Sequence, residues 1–257
     1  MSRLRVCSVD FLNSAPLVWG MLHGPQRGLF DLMFRVPSVC ADLVASGGAD
    51  IGNIPVIEYA RQGLSMVRGV GVACRGPVRS ILMVSKRPLD QVRTLAADSS
   101  SRTSVALARI VLARRYGVEP EFRAHAPDLG AMLVVADAAL LIGDPALRVD
   151  VAALPYLVAD LGGEWVEMTG LPMVFAVWAG RAAHLTPEVE VAFRASCRYG
   201  REHLEDVITQ ESAARSIAPE LARRYLTEHI VNELGPRDYE GLELFLSYAR
   251  RHEPAPA

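Results

Sequence analysis

The chain has 257 residues, of which 51% are hydrophobic and 22% are charged. This composition is typical of a packed globular protein, and it excludes a disordered chain, a collagen-like repeat and a long coiled coil. The formal net charge of -2 at pH 7 gives no overall basic field for a polyanion. We therefore do not expect nucleic acid as a partner.

No apolar stretch approaches the roughly 18 residues that a membrane helix needs. The residues before the first predicted strand also lack the apolar region of a signal peptide. We expect a cytoplasmic protein without a membrane partner. The sequence does not indicate its oligomeric state.

Strands and helices alternate along most of the chain. The predicted strands lie at residues 4–9, 34–36, 50–54, 66–74, 80–85, 93–97, 121–123, 138–142, 164–168 and 174–178. The predicted helices lie at residues 17–22, 37–46, 56–62, 105–116, 129–134, 187–197, 201–209, 213–216, 219–225 and 238–248. This order predicts an α/β protein with a helical C-terminal segment, and residues 253–257 are expected to fray.

The most informative stretch is the loop at residues 98–104, which joins a predicted strand to a predicted helix. Its seven polar residues include five hydroxyls and one guanidinium, and the candidate ligand-binding residues among them are Ser101, Arg102, Thr103 and Ser104. Free N–H groups at a helix start, the helix dipole and nearby hydroxyls together bind carboxylate or phosphate. A helix cap alone needs only one such residue. The loop therefore predicts an anion site.

Polar residues also stand at three other strand ends. Asn13 and Ser14 follow the first strand, Ser80 follows the turn at residues 76–78, and Asp144 follows the strand at 138–142. Taken alone, Asn13 and Ser14 fit a helix cap equally well. If all these ends face one crevice, they form a hydrogen-bonding set with few bases. Such a set suits the binding of an anion more than its hydrolysis.

The sequence lacks the motifs that mark other kinds of functional site. The six histidines lie outside these loops, and the four cysteines form no CxxC pair, so we predict no metal site and expect buried free thiols. The sequence has no Gly-x-Ser-x-Gly elbow and no glycine-rich cofactor fingerprint. We therefore predict no cofactor.

Seven segments in chain order resemble one known family. They are SVDFLNSAPL at 8–17, ADIGNIPVIEY at 49–59, GPVRSI at 76–81, RTLA at 93–96, DSSSRTS at 98–104, DAALLIGDPAL at 137–147 and TGLPMVFAVW at 169–178. They are similar to the menaquinone biosynthesis family that includes the chorismate dehydratases of the futalosine route. The resemblance covers the chain up to about Trp178, and the helical tail adds little to it.

The resemblance implies a type 2 periplasmic-binding-protein fold, in which two α/β lobes joined by two crossovers enclose a central cleft. On this basis residues 1–83 and 178–257 form one lobe, and residues 84–177 form the other. The crossovers are expected near residues 80–85 and 175–178.

The resemblance also implies an activity. Family members remove water from chorismate, a dianion, and form 3-[(1-carboxyvinyl)oxy]benzoate without a cofactor. The position matching Asn13 is tied to the elimination, and the substrate's own enolpyruvyl carboxylate is thought to take the proton. Together with the polar loops described above, the candidate substrate-binding residues are Ser14, Ser80, Ser101, Arg102, Thr103, Ser104 and Asp144. Ser80 and the helix start at Thr103 and Ser104 are each expected to bind one carboxylate.

Two alternatives stay open at this point. One is 1,4-dihydroxy-6-naphthoate synthase of the same pathway, which a histidine base in the cleft would favour. The other is a non-catalytic solute-binding protein, which predicts an export signal and tight binding without turnover. Asn53 departs from the family pattern, which favours a more apolar residue there, and one role left open for it is to line the cleft.

Overall fold

The computed structural model describes residues 3–252, so the segment predicted to fray at 253–257 lies outside the described residues. Six strands form the first sheet: β1 (Arg5–Val9), β2 (Asp31–Arg35), β3 (Ile51–Pro55), β4 (Ser65–Cys74), β10 (Met173–Gly180) and β11 (Val231–Glu233). Five strands form the second sheet: β5 (Ile81–Ser85), β6 (Thr94–Asp98), β7 (Glu121–His125), β8 (Ala138–Ile142) and β9 (Leu157–Asp160). The spatial orders are β11-β4-β10-β3-β1-β2 and β7-β6-β8-β5-β9.

Helices pack against both sheets. They are α1 (Ala15–His23), α2 (Pro37–Ser46), α3 (Val56–Arg61), α4 (Thr103–Tyr116), α5 (Leu129–Val135), α6 (Gly143–Leu147), α7 (Leu161–Thr169), α8 (Pro187–Glu202), α9 (Leu204–Arg215), α10 (Pro219–Arg224) and α11 (Pro236–His252). The sequence signals that end two of them act as expected, since Gly47 after α2 and Gly117 after α4 adopt φ values of +74° and +69°. Among residues 3–252, no helix is both long enough and apolar enough to cross a bilayer.

Strand direction decides which loops meet. In the second sheet, β6 and β8 are parallel while β5 is antiparallel to β8, so Ile81 at the start of β5 pairs with Ile142 at the end of β8. The residue before β5 therefore lies beside the loop after β8, where the Gly143 N–H donates to the Ser80 carbonyl oxygen at 2.8 Å. In the first sheet β1 is parallel to β3. Loops after parallel strands gather at one edge of a sheet, which is where α/β proteins bind ligands.

The chain passes from the first sheet to the second between Cys74 and Ile81, and it returns between Asp160 and Met173. The predicted α/β class, with two sheet-containing halves, is confirmed.

The finer division into residues 1–83 with 178–257 and residues 84–177 stays a proposal. Sheet membership describes the strands alone and does not decide where each compact unit begins.

One predicted element is wrong: residues 164–168 lie in α7 and not in a strand. The Asp160 carboxylate caps this helix by accepting the N–H groups of Gly162 and Gly163, and Gly170 ends it with a φ of +70°. An acidic cap and a left-handed glycine together stabilise a helix here. The short strands β9 and β11 were not predicted, and Asp144 lies in the first turn of α6.

The helical tail covers the first sheet and fixes the start of α1. The Ser196 hydroxyl of α8 donates to the Leu17 carbonyl oxygen at 2.8 Å and accepts the Met21 N–H at 3.2 Å. Gly200 of α8 lies so close to α1 that a Cβ there would stand 2.2 Å from the Pro16 carbonyl oxygen. The position of the loop before α1 therefore depends on a glycine in the tail.

Candidate functional site

A cleft lies between the facing edges of the two sheets. Its apolar lining includes Val9 and Phe175 from the first sheet and Ile81 and Ile142 from the second. The polar side chains that line it are Asn13, Ser14, Ser80, Ser101, Thr103 and Ser104. The structure thus brings together most of the residues predicted from separate loops, and within residues 3–252 no charged side chain is part of the lining.

Asn13 lies in a short 3₁₀ turn, Leu12–Ser14, between β1 and α1. The Ser14 hydroxyl donates to Asn13 Oδ1 at 3.1 Å, and Asn13 Nδ2 donates to the Tyr225 hydroxyl oxygen at 3.1 Å. From the tail, Asn232 Nδ2 donates to the Asn13 carbonyl oxygen at 3.1 Å. Both the backbone and the amide of Asn13 are therefore held in place at the cleft.

Tyr225 is a residue of this network that the sequence analysis missed. It begins a π-helical turn, Tyr225–His229, and its side chain is fully buried. Its hydroxyl donates to Ser80 Oγ at 2.7 Å, across 145 residues of sequence. Burial raises the pKa of Tyr225 well above its usual value, so the phenol is neutral at physiological pH. No local pattern in the sequence marks it, because its partners are all distant along the chain.

We expect the buried phenol of Tyr225 to make the free energy of unfolding fall as the pH rises above about 10, the usual tyrosine pKa. The folded-state pKa is raised, so this stabilisation is complete below the unfolded-state pKa and is lost as the pH rises towards the folded-state value. From this one proton, the free energy of unfolding of the wild type should fall by up to about 1.4 kcal/mol per pH unit. Tyr225→Phe should lack this part of the fall. Denaturant titrations of both proteins at several alkaline pH values measure the difference, and equal slopes would contradict the burial.

Ser80 ends the connection between β4 and β5. The Asp160 carboxylate accepts the N–H of Val78 at 2.8 Å and that of Arg79 at 2.6 Å. Arg79 has a φ of +63°, a left-handed conformation in which a non-glycine residue is strained. Its guanidinium donates to the carbonyl oxygen of Ala146 at 3.1 Å. These contacts fix the backbone that carries Ser80, which is itself buried.

The start of α4 provides the opposite wall of the cleft. Thr103 and Ser104 are buried in its first turn, and the Ser104 N–H donates to Ser101 Oγ at 3.2 Å. Thr103 Oγ1 is buried without a hydrogen-bond partner among the described residues. The first N–H groups of a helix have no partner within it, and the dipole is positive there. This wall therefore offers an unpaired hydroxyl and backbone donors to an anion.

Arg102, predicted as a substrate contact, does not line this cleft. Its guanidinium forms ion pairs with Asp42 at 2.8 Å and with Glu58 at 3.3 Å. The acidic partners belong to α2 and α3, on the side of the first sheet. Arg102 thus bridges the two halves of the molecule, and we do not retain it as a contact to the ligand.

Asp144 is also outside the lining of the cleft. It accepts the Leu12 N–H at 3.0 Å and pairs with Arg215 at 3.0 Å, while Arg215 also pairs with Asp10 at 2.9 Å. Burial raises the pKa of Asp144, and the Leu12 N–H and Arg215 act in the opposite direction. Its position beside the Asn13 loop indicates that it supports that loop instead of contacting a ligand.

Asn53 does not line the cleft either. It lies on β3 directly opposite Trp178 of β10 in the sheet register. Its side-chain nitrogen and oxygen are both buried without a partner among the described residues, and so is Trp178 Nε1. The structure therefore places this departure from the family pattern in the core of the first half.

The other reactive side chains lie away from the cleft. All four cysteines are buried free thiols, which confirms the prediction. Within residues 3–252, no group of three or more His, Cys, Asp or Glu side chains is arranged to hold a metal ion. No histidine of these residues lines the cleft. The ligand-facing groups are consequently hydroxyls, one amide and backbone N–H groups.

Solved structures share this architecture. A crystal structure of a protein from Archaeoglobus fulgidus matches with a TM-score of 0.78 at 19% identity, covering 97% of each chain. The periplasmic aliphatic sulphonate binding protein of Escherichia coli matches with a TM-score of 0.66 at 16% identity, over 98% of this chain and 86% of that one. The protein therefore has the periplasmic-binding-protein-like fold that the resemblance implies.

Sequence comparison gives the family. A curated relative, the chorismate dehydratase of Thermus thermophilus, is 30% identical in an alignment 234 residues long, and the match covers 84% of this chain and 84% of the relative. The family model for menaquinone biosynthesis matches residues 4–251, almost the whole chain. The chain belongs to the menaquinone biosynthesis family.

Proposed function

We propose that this protein is a chorismate dehydratase, a hydro-lyase that converts chorismate to 3-[(1-carboxyvinyl)oxy]benzoate and water. The observation that carries the proposal is the cleft itself, in which neutral donors from two sheets face one another across an apolar space. Membership of the menaquinone biosynthesis family and the similarity to a chorismate dehydratase support the same reaction.

The two walls suit the two carboxylates of chorismate. Thr103 Oγ1, a buried hydroxyl without a partner among the described residues, binds one carboxylate together with the start of α4, where the helix dipole is positive. Ser80 and Asn13 on the other wall bind the second carboxylate or the departing hydroxyl. Hydrogen bonds to an ionised group are about twice as strong as neutral ones, which favours the binding of carboxylates by these hydroxyl and amide donors.

The protein needs to contribute little to this reaction beyond positioning the substrate. A ring proton and the ring hydroxyl leave as water, and the ring becomes aromatic, so the products are strongly favoured. Asn13 orients the reacting groups, and the enolpyruvyl carboxylate of the substrate takes the ring proton and passes it to the departing hydroxyl, which leaves as water. The apolar lining excludes bulk water and holds this geometry. This route is consistent with a lining that contains no histidine among the described residues.

The test is incubation of the purified protein with chorismate and a chelator. We expect loss of chorismate and the appearance of 3-[(1-carboxyvinyl)oxy]benzoate by mass spectrometry. Tight binding of chorismate without turnover would instead identify a solute-binding protein. A protein that does not react with chorismate but converts a later intermediate of the pathway to 1,4-dihydroxy-6-naphthoate would instead be the sibling enzyme.

Thr103→Val keeps the shape of the side chain and removes its hydroxyl, so we expect weaker binding of the substrate dianion. The loss of one buried hydrogen bond to a charged group predicts a KM roughly 10- to 100-fold higher. Steady-state kinetics with chorismate measure the change. Thr186→Val is the matched control, since the Thr186 hydroxyl also lies at a helix start but caps α8. A normal KM for Thr103→Val would contradict the assignment of this wall.

A further inference from the structure

We propose that Tyr225 is a positioning residue, which sets the direction of the hydrogen bonds so that Asn13 and Ser80 both present donors to the cleft. It acts through these two residues, because the cleft lining does not include it. The expected effect on kcat/KM rests on the dehydration proposed above, whereas the expected effect on the hydrogen bonds of Asn13 does not.

The order of the hydrogen bonds follows from the donors available. Asn13 Nδ2 can only donate, so the Tyr225 oxygen accepts at 3.1 Å. The single proton of Tyr225 is then directed to its other neighbour, Ser80 Oγ, at 2.7 Å. Because Ser80 Oγ accepts that proton, its own proton is free to point into the cleft that it lines.

The amide of Asn13 is oriented by the same network. The Ser14 hydroxyl donates to Asn13 Oδ1 at 3.1 Å, so the oxygen faces Ser14 while the nitrogen faces Tyr225. One hydrogen of Nδ2 points to Tyr225, and the second is left for the cleft. A flipped amide would direct its oxygen at Tyr225, reverse the phenol proton and leave Ser80 without an incoming donor.

Tyr225 is suited to this role because it remains neutral. Its side chain is fully buried, and the π-helical turn that carries it comes from the tail, behind the cleft. A neutral phenol both accepts and donates, whereas a phenolate only accepts. The resulting site presents donors to a dianion from Asn13 and Ser80, in addition to the unpaired hydroxyl of Thr103.

The kinetic test is a double-mutant cycle. Tyr225→Phe keeps the ring, and we expect kcat/KM to fall roughly 10- to 100-fold, as for the loss of a buried hydrogen-bond network. In a Ser80→Ala background the same substitution should cost at least about 3-fold less, because one of the two groups that Tyr225 directs is already absent. Equal costs in both backgrounds would indicate a merely structural role and overturn the proposal. Tyr199→Phe, which removes a hydroxyl that donates to His23 at 3.4 Å, is the control.

A second readout does not need turnover. In the NMR spectrum, the Asn13 side-chain amide is assigned by its disappearance in Asn13→Ala. We expect the Nδ2 hydrogen bonded to Tyr225 to exchange slowly with water in the wild type and at least about 10-fold faster in Tyr225→Phe, since a hydrogen-bonded amide is protected. A smaller acceleration, of at least about 3-fold, is expected in Ser80→Ala, because the Tyr225 proton loses its acceptor and is free to turn towards Asn13 and weaken the bond from Nδ2. The proposal therefore remains testable if Tyr225→Phe does not fold.

The two readouts separate the proposals. If the wild type does not dehydrate chorismate but Tyr225→Phe still shows faster amide exchange, the proposed function is refuted. The role of Tyr225 then stands. Unchanged exchange in the folded Tyr225→Phe variant would overturn the role of Tyr225, whatever the reaction.

Discussion

Replacement of Asn13 by alanine is expected to abolish most of the turnover of chorismate while the protein stays folded. The amide lines the cleft and is held by Ser14 and Tyr225, so its free hydrogen is placed in advance of the reaction. The loss of one preorganised donor typically lowers kcat by about 10²- to 10³-fold. We expect a decrease of this size in kcat, measured with saturating chorismate.

Asn13→Asp sharpens the test because it keeps the shape of the side chain. A carboxylate cannot donate, and its charge repels a dianion, so we expect both a low kcat and a raised KM. Thermal and denaturant unfolding of both variants serve as the control, with changes in unfolding free energy below about 2 kcal/mol. Near-normal formation of product by folded Asn13→Ala would contradict the assignment.

Gly200→Ala is expected to cause the largest loss of stability of the substitutions considered. A methyl group at this position would stand 2.2 Å from the Pro16 carbonyl oxygen and 2.8 Å from the carbonyl carbon, both of them backbone atoms. Overpacking of this kind costs about 1–3 kcal/mol, and more where backbone must move. Because α1 follows the Asn13 turn directly, we also expect kcat to fall.

Gly130→Ala is the matched control for this substitution. Gly130 is also helical, in the first turn of α5, and the nearest neighbour of an added Cβ is the Asp128 side chain at 3.4 Å. Alanine is intrinsically favoured over glycine in a helix by about 0.5–1 kcal/mol, so this variant should be as stable as the wild type or more so. Similar denaturation midpoints for the two variants would show that α8 and α1 are not in close contact at Gly200.

The alternation of strands and helices was predictable, because local signals determine it. Gly47 and Gly117 end helices in the left-handed conformation, and the apolar strand at 138–142 is buried along its whole length. The strand predicted at 164–168 is wrong because the Asp160 cap before it and the left-handed Gly170 after it stabilise a helix. The shortest strands were missed, since three or four residues carry too little pattern.

The loops of the cleft were predictable for a similar reason. Runs of hydroxyls such as that ending at Ser104 are local, and their proximity follows from strand direction. The ion pairs of Arg102 and Asp144 were not predictable, because Asp42, Glu58 and Arg215 lie far away in the sequence. Tyr225 was missed on the same ground, since only the folded tail brings it to Asn13.

The position of the bound product tests most directly whether the two walls of the cleft each bind one carboxylate. A crystal structure of the complex with 3-[(1-carboxyvinyl)oxy]benzoate should show one carboxylate within hydrogen-bond distance of Thr103 and the start of α4. The other should contact Ser80 or Asn13 from the opposite wall. Product held outside this space, or carboxylates bound by arginines such as Arg102 and Arg215, would contradict it.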